Sequence, residues 1–291
     1  MISRYFKSED RDFTLLRGDC VEQMRAFDFE FDMIFADPPY FLSNDGISVQ
    51  SGKVVSVNKG EWDRSRGEKT DEAFTRMWIA EARKKLAPTG TIWISGTYHN
   101  IFSIAKILKE QHFKILNVVT WAKTNPPPNL SCRYFTHSSE FIIWARKFEK
   151  TPHYFDYKLM RRLNNGKQMR DVWNLPAIAP WEKHCGKHPT QKPLPLLTRI
   201  ILASTRERAW ILDPFAGSAT SGIAANLLNR RFLGIELDEK FLSVAQERKR
   251  EITNFNIFED FRKKLKLPFQ NFISPQTELV FKENLEQNLP F

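Results

Sequence analysis

Between residues 193 and 250 short apolar runs alternate with stretches of helical periodicity, and few architectures accommodate that alternation. Residues 193–204 read as a helix, 209–212 as a strand, 217–228 as a helix, 231–235 as a strand and 239–250 as a helix. A strand, a helix and a second strand in series close as a parallel crossover, so an α/β fold with a mostly parallel sheet is expected. The N-terminal half carries the same pattern less regularly. Residues 13–16 and 31–36 are strand-like, and between them Gly18-Asp19-Cys20 precedes an amphipathic helix over 21–27. A helix from about residue 71 sets Phe74, Trp78, Ala82 and Leu86 at helical spacing and stops at Pro88-Thr89-Gly90. Residues 91–95 read as a strand and 101–110 as a helix. Residues 113–121 and 140–145 read as strands flanking a Pro-rich turn at 125–129. No internal repeat is visible.

Two stretches break the pattern. In 41–66 Gly, Ser, Asn and Lys dominate, and a loop of that length is usually functional or mobile. Residues 146–186 are basic, aromatic and weakly periodic, and read as an inserted recognition region. The expected organisation is therefore a catalytic half at 1–145, recognition at 146–186, a second half at 187–251 and a C-terminal extension at 252–291.

The 291 residues suffice for a large core, and 42% apolar against 27% charged residues excludes a disordered chain. No run of about 18 apolar residues is present, so a membrane-spanning helix is not expected. The first ten residues are charged and resemble no secretory signal. A disulfide framework or structural zinc site would need more than three cysteines without paired spacing, and a cytoplasmic location is expected. The 44 basic and 34 acidic residues leave +10, an excess that suits a polyanionic partner.

Two motifs carry chemistry. In Asp213-Pro214-Phe215-Ala216-Gly217-Ser218 a strand ends, a glycine follows and a helix begins. Ligands of open α/β sheets bind at such strand ends, and glycine lets the backbone approach them. The next strand ends at Glu236, whose carboxylate can accept both hydroxyls of a ribose, so the unit suits a nucleoside-bearing cofactor. The other motif is Asp37-Pro38-Pro39-Tyr40. Its prolines stiffen the backbone and leave carbonyl acceptors without N–H donors. A carboxylate plus a rigid carbonyl can hold both hydrogens of an amino group, and Tyr40 offers a face for a base to stack on. An exocyclic amine is a poor nucleophile because its lone pair conjugates with the ring. Two acceptors favour the pyramidal nitrogen that can attack.

Together the motifs resemble those of DNA amino-methyltransferases that use S-adenosylmethionine. The catalytic tetrapeptide precedes the cofactor motif, and His188-Pro189-Thr190-Gln191-Lys192-Pro193 matches a further cofactor-side motif, which is the beta-class order. The resemblance runs from about residue 14 to 250; Ala219 departs from it where many members have glycine. It implies a Rossmann-like methyltransferase fold with circularly permuted motifs and an inserted target-recognition region. The catalytic residues would be Asp37, Pro38, Pro39 and Tyr40. The cofactor would lie over Asp213, Phe215, Gly217 and Ser218, with its ribose on Glu236. Its methionine end would lie near Asp37, Thr190, Gln191 and Lys192, with Asp19 and Cys20 bordering its adenine.

A tetrapeptide opening with Asp is usual for N6-adenine enzymes and one opening with Ser for N4-cytosine enzymes, so adenine is the expected target. Stretches 35–44, 55–63 and 129–137 resemble the second adenine methylase of GATC restriction–modification systems. Stretch 93–102 resembles enzymes that modify GANTC. The expected function is site-specific adenine-N6 methylation of DNA, at GATC, within such a system. The alternatives are a GANTC-type or other-site adenine methylase, a cytosine-N4 methylase, methylation of RNA or a protein amide, and a DNA-binding homologue without catalysis. The class also implies a homodimer.

Adenine N6 is out of reach inside a stacked duplex, so the base must flip out or arrive single-stranded. Phosphate-holding candidates are Arg161, Arg162, Lys167, Arg170, Lys183 and Lys187, with Arg133 and the loop residues Lys53, Lys59 and Arg64. Tyr154, Phe155, Tyr157, Trp173 and Trp181 interleave with them, as recognition aromatics or as core. Loop 41–66 is expected to close over DNA or the flipped base. His99, His137, His184 and His188 form no metal pattern, none is needed for the reaction, and Cys132 and Cys185 read as buried inert thiols.

Overall fold

Phe31-Asp32-Met33-Ile34-Phe35-Ala36 is apolar on both sides of a strand, which demands cover on both faces of its sheet. The computed structural model supplies it. Residues 2–42, 47–50, 53–56, 63–129, 132–186 and 188–265 are described, with 47–50 and 53–56 as backbone. The strands are β1 (Arg4–Lys7), β2 (Phe13–Arg17), β3 (Phe31–Ala36), β4 (Ile47–Gln50), β5 (Lys53–Ser56), β6 (Leu86–Gly96), β7 (Lys114–Lys123), β8 (Ser139–Arg146), β9 (Val172–Leu175), β10 (Trp210–Asp213) and β11 (Arg231–Glu236). The helices are α1 (Cys20–Arg25), α2 (Glu68–Lys85), α3 (Ile101–Glu110), α4 (Tyr157–Leu163), α5 (Leu194–Ser204), α6 (Thr220–Leu227), α7 (Glu239–Glu251) and α8 (Phe255–Lys264).

Nine strands form one sheet in the order β1-β2-β11-β10-β3-β6-β8-β7-β9. The run from β2 through β11, β10 and β3 to β6 is parallel, and β6, β8 and β7 are joined antiparallel. Met33 and Phe35 face a core built with α4 to α7, including Leu159, Leu197, Ile223 and Leu242. Ile34 and Ala36 face the opposite core with Met24, Trp78, Ile104 and Ile107 of α1 to α3. The period-2 alternation of a strand thus feeds two helical layers. From β3 the chain crosses to β6 on one side; from β10 it crosses to β11 on the other. The C-terminal ends of β3 and β10 therefore flank the switch point of the sheet, where a crevice opens.

Several elements differ from the sequence reading. Leu86 opens β6 instead of closing α2, and a register shift between Phe31 and Met33 accommodates Pro88 in the strand. Helix α6 starts at Thr220, not at 217, because Gly217 (φ 50°) and Ala219 (φ 53°) are left-handed and must come first. Ala219 occupies that conformation at a cost of about 1 kcal/mol relative to glycine. Loop 41–66 contains the antiparallel hairpin β4–β5. Within 146–186, β9 adds to the main sheet alongside β7, and Trp173 is core, 6% exposed. Trp181 is half-buried and packs on Phe261 of α8, in the extension to which the sequence assigned no element. Among the described residues no helix is long and apolar enough to cross a membrane.

Candidate active site

Adjacent parallel strands deliver Asp37, just past β3, and Asp213, the last residue of β10, to the same end of the sheet. A cleft of about 860 Å³, counting its open mouth, lies there. Its walls include Asp19, Cys20, Asp37, Pro39, Thr190, Gln191, Lys192, Asp213, Phe215, Gly217, Ser218 and Glu236, so the structure gathers around one cavity residues from five separate stretches of chain.

The Asp37 carboxylate is held from three sides. Tyr40 donates its hydroxyl to Oδ1 at 2.7 Å, Ser95 donates to the same oxygen, and Lys192 Nζ donates to Oδ2 at 2.7 Å. Lys192 also donates to the Tyr40 hydroxyl at 3.0 Å and lies 3.6 Å from Glu140 Oε2. Lys123 in turn pairs with Glu140 Oε1 at 2.5 Å. Burial works to raise the Asp37 carboxyl, but the Lys192 ammonium and the three hydrogen bonds outweigh it and hold the group below the usual carboxylate range. Burial opposes the charge on Lys192, and Asp37, Tyr40 and Glu140 override it, so the ammonium persists. Tyr40 is 6% exposed with its hydroxyl in this set, which makes orientation of Asp37 its first observable role. Lys192 lines the cleft, but its ammonium rests on Asp37.

The backbone after the tetrapeptide has its own anchor. Asp63, fully buried, accepts from Tyr40 N at 2.7 Å and Phe41 N at 2.9 Å through Oδ1, and from Leu42 N at 3.4 Å through Oδ2. Phe41 is left-handed at φ 57°, a conformation that a bulky residue adopts only when its surroundings enforce it. Asp63 thus ties the two ends of the loop together behind the Asp37–Tyr40 tetrapeptide.

At the other end of the cleft Glu236 bridges the glycine turn to β11. Its Oε2 accepts from Gly217 N at 2.8 Å, and Oε1 accepts from Leu237 N and Asp238 N, both at 2.8 Å. A Cβ on Gly217 would stand 3.0 Å from His188 Nε2, so the left-handed turn and its close neighbour both call for glycine. Burial drops His188 to about 4, which keeps its ring neutral. Ser218 is buried, and its carbonyl and hydroxyl accept from Arg248 Nη1 at 2.7 and 3.2 Å. Asp19 caps α1, accepting from Val21 N and Glu22 N, and Cys20 is buried behind it. Gln191 donates to the carbonyl of Glu182 at 2.9 Å.

Asp213 accepts from Phe215 N at 3.0 Å and from the Ser221 hydroxyl, and among the described residues no cation is bonded to it. Burial, with Asp37 and Glu236 adding to it, pushes its carboxyl up to about 7. Because the folded value lies above the unfolded one, this group favours the fold at low pH and loses that contribution as pH rises between about 4 and 7. Asp213→Asn keeps the shape and removes the charge. Thermal melting of the ligand-free protein should show it stabilised at pH 8 by roughly 5 °C more than at pH 5. An equal shift at both values contradicts the assignment.

The basic residues are spread more widely. Arg161, Arg162, Lys167 and Arg170 are exposed on and after α4, Lys183 is half-buried, and Arg64 and Arg133 are exposed. Arg161 donates to Gly166 O at 2.9 Å and so braces its own loop. Lys59 and Lys187 lie outside the described residues, as does the side chain of Lys53. Tyr154 is half-buried; Phe155 and Tyr157 are exposed. Cys132 is exposed, contrary to the buried thiol expected, because 132–138 stands off the sheet. Cys185 is half-buried and burial pushes it up to about 11. Ser95, Glu140 and Asp63 are the site residues that sequence reasoning missed.

The chain matches the N6_N4_Mtase family model, described as DNA methylase, over residues 31–247. It is 57% identical over 253 residues to the Type II methyltransferase M2.MboI of Moraxella bovis, covering 87% of this chain and 93% of that protein. It is also 57% identical over 218 residues to the Type II methyltransferase M2.DpnII of Streptococcus pneumoniae, covering 75% and 81%. The crystal structure of an M1.HpyAVI-SAM complex superposes with a TM-score of 0.63 at 28% identity, covering 81% of this chain and 98% of that one.

Proposed function

This chain belongs to the DNA methylase family and is a DNA methyltransferase, and from that premise we propose that it methylates adenine N6 in GATC sites of a restriction–modification system, with S-adenosylmethionine as donor. The observation that carries the reading is the shared cleft of Asp37 and the Gly217 turn. The residues present suit a sulfonium nucleoside. Among the described residues Asp213 is a buried carboxylate with no cationic partner, Gly217 bares its backbone, and Glu236 ends β11 beside it. When bound, S-adenosylmethionine supplies a methyl group activated by its positive sulfur.

The chain's own residues do the rest. Asp37, kept anionic by Lys192, accepts one hydrogen of the amino group, and the Pro38 carbonyl accepts the other. Holding both hydrogens turns the nitrogen lone pair toward the donor. Ser95 and Tyr40 fix the carboxylate in one orientation, so little reorganisation is required as charge develops. The tetrapeptide opening with Asp and the likeness of 35–44, 55–63 and 129–137 to GATC adenine methylases support the base and site.

The test is to incubate unmethylated plasmid with the protein and S-adenosylmethionine and to map modified positions by single-molecule sequencing. N6-methyladenine at GATC is the expected result. N4-methylcytosine, or N6-methyladenine at GANTC, replaces base or site with an alternative; no modified DNA removes the reading.

A further inference from the structure

Water is a poor neighbour for aromatic rings, yet four stand exposed in the segments that follow β6 and precede β8, the strands carrying Ser95 and Glu140. Phe135 is 96% exposed, Tyr134 61% and Tyr98 46%, and His137 is exposed beside them. The Tyr98 ring stacks on His137 with centroids 4.8 Å apart and planes at 20°, and Tyr134 flanks His137 at 5.5 Å. An exposed apolar cluster of this kind marks a binding surface more often than a lone exposed ring does.

The ledge these rings form is anchored to the Asp37 acceptor set from two directions. Tyr98 lies three residues beyond Ser95, whose hydroxyl donates to Asp37. His137 lies three residues before Glu140, whose carboxylate lies 3.6 Å from Lys192 Nζ. Strands β6 and β8 pair antiparallel with Gly96 opposite Phe141, so the chain leaves β6 and enters β8 at the same end of the sheet. Neither 95–101 nor 122–139 contains an acidic residue, whereas the exposed Arg133 is present; Lys123 is paired with Glu140. The ledge combines flat rings with positive charge, which is the chemistry of a surface for nucleobases and their phosphates.

We propose that Tyr98, Tyr134, Phe135 and His137 form the surface on which the bases bordering the target adenine stack, and that Phe135 enters the base stack when the adenine leaves it. The inference rests on the proposed adenine chemistry in duplex DNA. Extracting a base costs its stacking and pairing, and a ring that fills the gap returns part of that cost. Phe135 fits because its side chain has almost no contact to lose in the free protein.

The experiment compares native protein, Phe135→Ala and Phe135→Trp on two duplexes that carry the sequence the native enzyme methylates. In one the target adenine is paired; in the other it faces an abasic site, so the cost of opening is largely absent. Phe135→Ala should lower kcat/KM on the paired duplex by about tenfold and on the abasic duplex by less than about threefold, and Phe135→Trp should restore the paired rate. With 2-aminopurine at the target position, the fluorescence rise on binding should fall in parallel for Phe135→Ala. An alanine variant equal to native on the paired duplex, or one that loses the same factor on both, overturns the proposal. If the native protein methylates neither duplex, the adenine reading itself fails and the proposal falls with it.

Discussion

Asp37→Asn should lower the single-turnover rate of methyl transfer by about 10³-fold. The substitution replaces one carboxylate oxygen by an NH2 group. That group would face the Lys192 ammonium that now donates to Oδ2 at 2.7 Å, or the Ser95 and Tyr40 hydroxyls that donate to Oδ1. Either way donors meet donors, and the remaining charge is lost just where an amino nitrogen becomes positive. Lys192 is 6% exposed, so removing its counter-charge also threatens the fold, since breaking a buried pair costs about 3–5 kcal/mol. Asp37→Asn combined with Lys192→Met separates the two effects. The double variant should recover the melting temperature lost by the single one and none of its activity. Tritiated methyl incorporation into DNA measures the rate, and more than a tenth of native activity in either variant contradicts the role assigned to Asp37.

How far the sequence revealed this site depends on what kind of signal each residue leaves. Strand β3 and helix α3 have the bounds that a short continuous apolar run and period-3.6 patterning indicate, because burial on two faces imposes the first and burial on one face the second. The Asp37 and Gly217 motifs are contiguous, so each is visible as a word. Their meeting is not local; it follows from β10 lying beside β3, a pairing that strand–helix alternation permits but does not specify. Ser95 and Glu140 were invisible for the same reason. Each is an ordinary polar residue at a strand end, and its importance comes from the order β3-β6-β8, which places it beside Asp37 or Lys192. Strand β9 was hidden because Val172 to Leu175 is four residues long and sits among basic residues, so its burial pattern is too short to stand out. The bland reading of Trp173 as core aromatic was the correct one.

Asp63→Ala should reduce kcat/KM by about 10²-fold, close to the effect of losing a catalytic hydrogen bond although Asp63 contacts no reacting atom. The carboxylate accepts from the backbone of Tyr40 and Phe41 at 2.7 and 2.9 Å, and alanine leaves both N–H groups without that acceptor. Each buried donor left unsatisfied costs about 1–3 kcal/mol, and the chain can avoid the cost by letting Phe41 relax from its left-handed φ of 57°. Relaxation there rotates the peptide next to Tyr40, and with it the hydroxyl that orients Asp37. Asp63→Asn retains one carbonyl oxygen where Oδ1 now accepts both bonds, so it should recover most of the rate. A purely structural effect would look different. Leu108→Ala, in the buried face of α3 away from the cleft, supplies the comparison by lowering the melting temperature without touching the clamp. If Asp63→Ala loses no more activity than Leu108→Ala at a matched distance below the melting temperature, Asp63 only supports the fold. If the alanine variant alone loses the rate and asparagine restores it, the clamp sets the geometry of the tetrapeptide.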